Sequence, residues 1–272
     1  MNYKLILCDI DGTLRPGRSL VIPEENVKAL QAIQKCGVKV AIATGRAPGL
    51  VEHDLLNGLE PDFWMYSAGA VIEDKAGKIL CDERFSARQV EMLLSFFADL
   101  PYPITLAFEE GNYVYQHYQT LMKSFRMPDA EKFFFDEEAK KARHLTSLPY
   151  AGFAFCRRQV AEDFAKAFPD SGLKFFFYPF EEGDVMGCDI FRDRQDKAYG
   201  LETLAAYLGF TPEECAAIGD GSNDVGMLLR AGLSYAMETG EDCAKVAAKR
   251  ITPAGAPFGV AAACREIWPE AF

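Results

Sequence analysis

The sequence predicts an α/β fold built on a parallel sheet, with an α+β domain inserted into it. Three observations carry that prediction. Short apolar runs rich in β-formers alternate with helical segments at both ends of the chain, the pattern of strands buried on both faces between crossover helices. Acidic and polar residues gather just after those runs, where open parallel sheets bind ligands. Between residues 83 and 187 the rhythm breaks, and most of the 21 Phe residues fall there among adjacent strand-like pieces.

The first strand is the run Lys4 to Ile10. Pro23-Glu24-Glu25 opens a helix in which Val27, Leu30 and Ile33 share a face, and Gly37 stops it. Val38 to Ala43 is a second strand, ending in Thr44-Gly45-Arg46. A helix is expected around Gly49 to Leu56, then a third strand over Asp62 to Ser67. Ala70 to Glu73 and Lys78 to Cys81 flank Asp74 to Gly77 as a hairpin. Ser86 with Gln89 makes a capping box for a helix through Leu100. Ile104 to Phe108, Tyr113 to His117 and Phe133 to Asp136 read as strands, followed by Ala151 to Cys156. A helix near Gln159 to Phe168 and strands at Lys174 to Tyr178 and Val185 to Phe191 complete the insert. Its aromatic excess either fills a core or lines an apolar substrate pocket.

From Asp196 the α/β rhythm returns. Lys197 to Leu208 is a helix with Leu201, Leu204 and Leu208 on one face, and Thr211-Pro212-Glu213-Glu214 is a further capping signal. Cys215 to Ile218 is a strand ending at Gly219-Asp220, Asp224 to Ala231 a helix, and Leu233 to Met237 a strand. The domain plan is an α/β core of residues 1–82 and 188–272, interrupted by a cap of residues 83–187, with chain crossings near 82 and 188.

Composition narrows the function. Of 272 residues, 49% are apolar and 25% charged, which is ordinary globular usage. No apolar run approaches the roughly 18 residues of a membrane span. The N-terminal apolar stretch is too short for a signal peptide, and a cytoplasmic location is expected. A net charge of −11 disfavours nucleic acid and anionic membranes as partners. It also means that an anionic substrate needs local cations. The cysteines at 8, 36, 81, 156, 188, 215, 243 and 264 form no CxxC pair, and read as small hydrophobes in a reducing compartment. His53, His117 and His144 are scattered, so the chemistry should rest on carboxylates.

Two acidic pairs stand out. Asp9 and Asp11 close an apolar strand, and carboxylates so near repel unless a cation or proton intervenes. Gly12 and Thr13 let the backbone turn sharply and offer N–H groups to an anion. Asp220 and Asp224 lie in Gly219-Asp220-Gly221-Ser222-Asn223-Asp224, a Gly-rich turn opening a helix. Clustered carboxylates there suggest a hard cation with oxygen ligands, Mg²⁺. Taken singly, the first pair also reads as an ordinary turn and the second as a helix cap or weak calcium loop. Together at strand ends, with Thr44-Gly45-Arg46 between them and Lys197 before the last, they make one constellation.

That constellation resembles the haloacid dehalogenase superfamily. Asp9-Ile10-Asp11-Gly12-Thr13-Leu14 looks like its first motif, and Thr44 in Ala41 to Arg46 its second. Lys197 matches the third, and Gly219 to Leu228 the fourth, with Asn223, Asp224 and Met227. The insert is similar to the large α/β cap of the Cof-like subgroup. The resemblance implies a Rossmann-like core and a Mg²⁺-dependent phosphatase. Its substrates would be small phosphorylated metabolites, sugar phosphates or phosphorylated cofactors, hydrolysed through an aspartyl-phosphate. It implies Asp9 as nucleophile and Asp11 as general acid and then base, with a raised pKa. It implies Mg²⁺ on Asp9, the Asp11 carbonyl and Asp220, with Asp224 completing or bracing the shell. It implies Thr44, through hydroxyl and amide, with Gly12, Gly45, Lys197 and Asn223 around the phosphate. Arg46 contacts the phosphate or leaving group, or is a surface ion-pair partner; Met227 reads as core. Ala68 and Thr239 stand where the family usually has Asn, and the loop Thr252 to Phe258 is poor in acids and amides, which bears on specificity. A phosphotransferase such as a sugar phosphomutase, and a catalytically silent ligand sensor, are the other readings of the same residues. A cap closing about the two crossings is expected.

Overall fold

The computed structural model describes residues 3–17, 19–124, 130–178, 184–253 and 258–272. In chain order the strands are β1 (Leu5–Cys8), β2 (Lys39–Ala43), β3 (Phe63–Tyr66), β4 (Val71–Asp74), β5 (Ile79–Asp82), β6 (Ile104–Ala107) and β7 (Asn112–Gln116). They continue as β8 (Phe134–Asp136), β9 (Ala151–Cys156), β10 (Leu173–Tyr178), β11 (Met186–Arg192), β12 (Cys215–Gly219), β13 (Leu233–Ala236) and β14 (Arg250–Ile251). The chain divides into two units. One holds the residues up to Gly45, Val51–Asp82 and the chain from Gln195 onward; the other holds Arg46–Leu50 and Glu83–Arg194.

The first unit is a sheet of order β14-β13-β12-β1-β2-β3-β4-β5 among the described residues. It is parallel from β14 to β3, and the β4–β5 hairpin adds an antiparallel edge. The chain winds outward from β1 through β2 to β3, then restarts at β12 and winds the other way. The strand order therefore reverses between β1 and β12, and the crossovers diverge there to leave a crevice beyond the carboxyl ends. The residues that follow those two strands are Asp9 to Thr13 and Asp220 to Asp224. All four side chains of β1 are fully buried, because the strand is central and covered on both faces. Leu7, Ala41, Met65, Leu201, Leu204, Ala217 and Met227 pack in one cluster against it.

A buried asparagine ties this sheet's first loop down. Asn26 shares the apolar face of helix Glu24–Lys35 with Leu30 and Ile33. Its Nδ2 donates to the Leu14 carbonyl at 3.1 Å, and its Oδ1 accepts from the Ala261 amide at 3.0 Å.

The second unit is a sheet of order β10-β11-β9-β6-β7-β8, antiparallel except between β7 and β8. The expected capping box of Ser86 and Gln89 opens helix Ala87–Phe97. Much of the aromatic excess is core: Phe85, Phe97, Phe108 and Phe164 are buried in one cluster. Phe164 meets Phe96 edge-on at 5.2 Å and Phe175 at 5.1 Å. Phe133, Phe134 and Phe155 belong to another cluster, with Val114 and Leu121.

Three local expectations need amending. The helix expected over Gly49 to Leu56 is two short 3-10 turns, Pro48–Leu50 and His53–Leu56, separated by an extended Glu52. Gly49 is a poor helix former, and the chain passes there from Arg46–Leu50, packed with the second unit, to Val51 onward in the first. The second boundary falls at 194–195 and not near 188, because β11 pairs along its length with β10 and β9. The segment Arg46–Leu50 belongs with the second unit. There Leu50 packs on the cluster of Val114, Leu121 and Phe134. Gly49 lies so close to the Glu110 backbone that a Cβ would overlap it.

All eight cysteines are free thiols. No helix among the described residues is long and apolar enough to cross a membrane. Of the loop Thr252 to Phe258, residues 254–257 lie outside the described residues; Thr252 is buried and its hydroxyl accepts from the Glu238 amide at 2.9 Å.

Asn26→Ala should strand the buried Leu14 carbonyl and Ala261 amide together. The expected cost is about 3 kcal/mol of stability in urea denaturation. A loss under about 1 kcal/mol would contradict the two-sided bond.

Candidate active site

Asp9 extends β1 by one residue. Its amide donates to the Ile218 carbonyl of β12 at 3.0 Å, and the residue is only 5% exposed. The chain then closes on itself. The Arg15 amide reaches the Ile10 carbonyl at 2.8 Å, the Gly12 amide reaches the Arg15 carbonyl at 3.1 Å, and the Thr13 amide reaches the Ile10 carbonyl at 3.4 Å. The Gly12 and Thr13 amides expected to face an anion are therefore spent inside the turn. Gly12 serves differently. Its φ of +92° is one that side chains rarely adopt, and a Cβ there would overlap the Asp220 carboxylate. Glycine is what lets that acid approach the turn.

The Asp220 turn is organised by Asp224. One carboxylate oxygen, Oδ2, accepts from the amides of Asp220 at 2.9 Å and Gly221 at 3.0 Å. The other, Oδ1, accepts from Lys197 Nζ at 2.6 Å. Both oxygens are thus engaged, and Asp224 braces the turn. The Thr13 hydroxyl donates to Asp220 Oδ1 at 2.7 Å, linking the two acidic loops.

Lys197 closes the constellation. It is the first residue of helix Lys197–Leu208, whose N-cap Asp196 accepts from the Tyr199 amide at 2.7 Å. An ammonium is unfavourable at a helix N-terminus. Here it is fully buried, and donates to Asp9 Oδ1 at 2.5 Å and Asp224 Oδ1 at 2.6 Å. Carboxylate oxygens of Asp9, Asp220 and Asp224 lie within 4.8 Å of one another, a group that could hold a metal ion.

The charges do not balance among themselves: three carboxylates face one ammonium. Burial pushes the Asp9 carboxyl well up, Asp224 and Asp220 add to it, and Lys197 opposes them. Burial likewise raises Asp220, to about 6, against the Thr13 hydrogen bond. Burial by itself lowers Lys197, but Asp224 and Asp9 outweigh it and hold the ammonium firmly charged. Hard oxygen donors carrying excess negative charge suit a divalent cation.

Asp11 stands apart from this cluster. Its side chain is exposed and ion-paired with Arg15. Asn223 lies half-buried on the Asp220 turn, one residue before Asp224. Thr44 is buried at the end of β2, but its amide donates to the Met65 carbonyl at 2.8 Å. Of the two donors expected of Thr44, the amide is therefore used by the sheet. Gly45 ends that segment of the first unit. Arg46 belongs to the second, where it donates to the Leu50 carbonyl at 3.3 Å. Thr239 is exposed in the turn after β13.

The segment after β3 is unusual. Ser67, Ala68 and Gly69 have φ of 47°, 51° and 95° in succession. Two residues with a Cβ in the left-handed region cost roughly 1–2 kcal/mol each. Gln195, buried two residues before Lys197, donates its side-chain amide to the Ser67 carbonyl at 2.7 Å.

Sequence reasoning passed over Asn26, Gln195 and the Thr13 hydroxyl. Each is a polar side chain enclosed by tertiary structure. Only Asn26 carried a sequence signal, a polar residue at helical spacing on an apolar face.

A profile of the haloacid dehalogenase-like hydrolases matches residues 6–263. The chain belongs to this family. The hydrolase is 28% identical over 285 residues to phosphatase YwpJ of Bacillus subtilis, covering 95% of this chain and 97% of that one. It is 27% identical to the 5-amino-6-(5-phospho-D-ribitylamino)uracil phosphatase YcsE of the same organism, covering 97% and 96%. Among solved structures it is similar in fold to BT1666 of Bacteroides thetaiotaomicron, with a TM-score of 0.83, 22% identity and coverage of 100% and 96%. The sugar phosphatase BT4131, described as HAD subclass IIB, gives 0.80, 21%, and 97% and 98%. The chain is thus a hydrolase of the phosphatase type, with the α/β fold of that family.

In metal-free protein the folded hydrolase holds a proton on Asp220 up to about pH 6, against 3.8 for an ordinary Asp. Stability from this group is full below pH 4 and lost as pH rises through about 6. Asp220→Asn should remove on the order of 2 kcal/mol of that fall. Urea titrations in EDTA at pH 4 and 7 check it; an unchanged pH slope would contradict the buried setting.

Proposed function

We propose that this hydrolase releases phosphate from small phosphorylated metabolites, with Mg²⁺ bound by Asp9, Asp220 and the Asp11 carbonyl. The observation that carries the reading is the buried contact of Lys197 with Asp9 and Asp224, beside a third acid, Asp220. Relatives named as phosphatases, one of them of a phosphorylated ribitylaminouracil, support the substrate class.

Asp9 is the nucleophile. Burial favours its protonated form; Lys197, at 2.5 Å, opposes that and aims the carboxylate, and a bound cation would favour the anion further. A carboxylate oxygen of Asp9 attacks phosphorus, the phosphorus–oxygen bond to the leaving alcohol breaks, and an aspartyl-phosphate results. The metal, when bound, supplies positive charge to the acidic cluster and to the phosphoryl oxygens. Asp11 protonates the leaving oxygen and then takes a proton from the attacking water. The Thr44 hydroxyl and Lys197 hold phosphate oxygens, with Gly12, Gly45 and Asn223 shaping the site. Asp224 positions Lys197 and the Asp220 turn. The second unit takes the part of the cap, and its side chains select the substrate.

Phosphate release from an aryl phosphate and a metabolite panel, with Mg²⁺ or EDTA, tests this. Asp9→Asn should lose at least about a thousandfold in kcat, with fold retained by circular dichroism. Turnover that survives in EDTA or in Asp9→Asn contradicts the mechanism. Transfer of the phosphoryl group to a sugar with no inorganic phosphate released would make the protein a phosphotransferase.

A further inference from the structure

We propose that Ser67–Gly69 is a strained brace that keeps Thr44 and Lys197 in register, and that Gln195 is its clasp. The inference rests on the reading of Thr44 and Lys197 as the groups that hold the phosphate.

The brace touches both sides of the constellation. Towards β2, the Ala68 amide donates to the Thr44 carbonyl at 2.9 Å. Towards the Lys197 helix, Gly69 packs against its start, where a Cβ would lie 2.9 Å from the Asp196 carbonyl oxygen and 3.2 Å from Gly200 Cα. Between these contacts the backbone is left-handed at Ser67 and Ala68, neither of them glycine. The Ser67 hydroxyl is fully buried with no hydrogen-bond partner among the described residues. Two strained residues and one orphaned hydroxyl occur within three positions. Such conformations persist only where the surroundings over-determine them, and they cluster at functional sites.

Gln195 supplies the over-determination. It is 2% exposed, and its side-chain amide donates to the Ser67 carbonyl at 2.7 Å, the carbonyl that opens the strained stretch. Without this bond, Ser67 and Ala68 relax out of the left-handed region and the Ala68 amide turns off Thr44. Gln195 is therefore a positioning residue that acts through the brace. It makes this contact two residues before Lys197, so the same short stretch of chain bears both the clasp and the ammonium.

The test uses the full chain with Mg²⁺ and three variants: Gln195→Met, which keeps volume and loses the donor, Ala68→Gly, which removes the strain at 68, and the double variant. Gln195→Met should lower kcat roughly tenfold to a hundredfold, with KM changed less than about threefold. Glycine at 68 has no strain to relax, so the double variant should return to within about threefold of Ala68→Gly alone. A Gln195→Met chain that folds only with glycine at 68 supports the brace in the same way. Wild-type turnover in Gln195→Met, a double variant as slow as the single, or failure to fold in both backgrounds overturns it. If the wild type itself releases no phosphate, the functional reading fails separately. The brace is then decided by hydrogen exchange at the Ala68 amide, faster in Gln195→Met and restored in the double variant; equal exchange in all chains overturns it.

Discussion

The site hangs on one buried ammonium. Lys197 is fully enclosed, and its two carboxylate partners are nearly so. Taking such charges out of water costs several kcal/mol each, and their attraction offsets this only with close geometry. That geometry requires three parts of the chain to arrive together: the end of β1, the turn after β12 and the start of helix Lys197–Leu208. The doubly wound sheet delivers the first two side by side, because its strand order reverses between them. The helix start completes the set. An apolar replacement would satisfy stability more simply, so the arrangement makes sense as chemistry and not as a source of rigidity.

The secondary shell is built to hold the loops and not to add charge. Thr13 bridges to Asp220, Asp224 gathers two amides, and Asn26 pins the first loop to helix Gly259–Ile267. Asp224 and Asn26 satisfy backbone groups that tight turns leave over, while Thr13 bonds the Asp220 carboxylate directly. The amides of Gly12, Thr13 and Thr44 are consumed by the same logic, in the turn and in the sheet. Oriented charge and hydroxyl groups are thus left to do what backbone donors do at many phosphate sites.

Much of this was legible beforehand. Strong β-formers in short runs, acids at their ends and a Lys opening a helix are local patterns, and in the structure Asp9, Asp220, Asp224 and Lys197 meet. What escaped was non-local. The second boundary depends on β11 finding β9 and β10, which its own residues do not announce. The affiliation of Arg46–Leu50 depends on Leu50 meeting an aromatic cluster drawn from residues far along the chain. Asp11 has the right neighbours in sequence, yet its exposed side chain pairs with Arg15.

The pairing of β1 with β12 also orders events during synthesis. Leu5 to Cys8 is the most enclosed strand of its sheet, yet one of its two partners is the segment from Cys215 to Ile218. A ribosome must deliver the whole second unit before that edge can be covered. Until then an apolar strand with unpaired backbone groups waits on the nascent chain, the kind of edge that invites association with other chains. The second unit, with its own sheet and core, can meanwhile fold. Asp9 emerges before Lys197, Asp220 and Asp224, so its buried ion pair with Lys197 can form only after they follow.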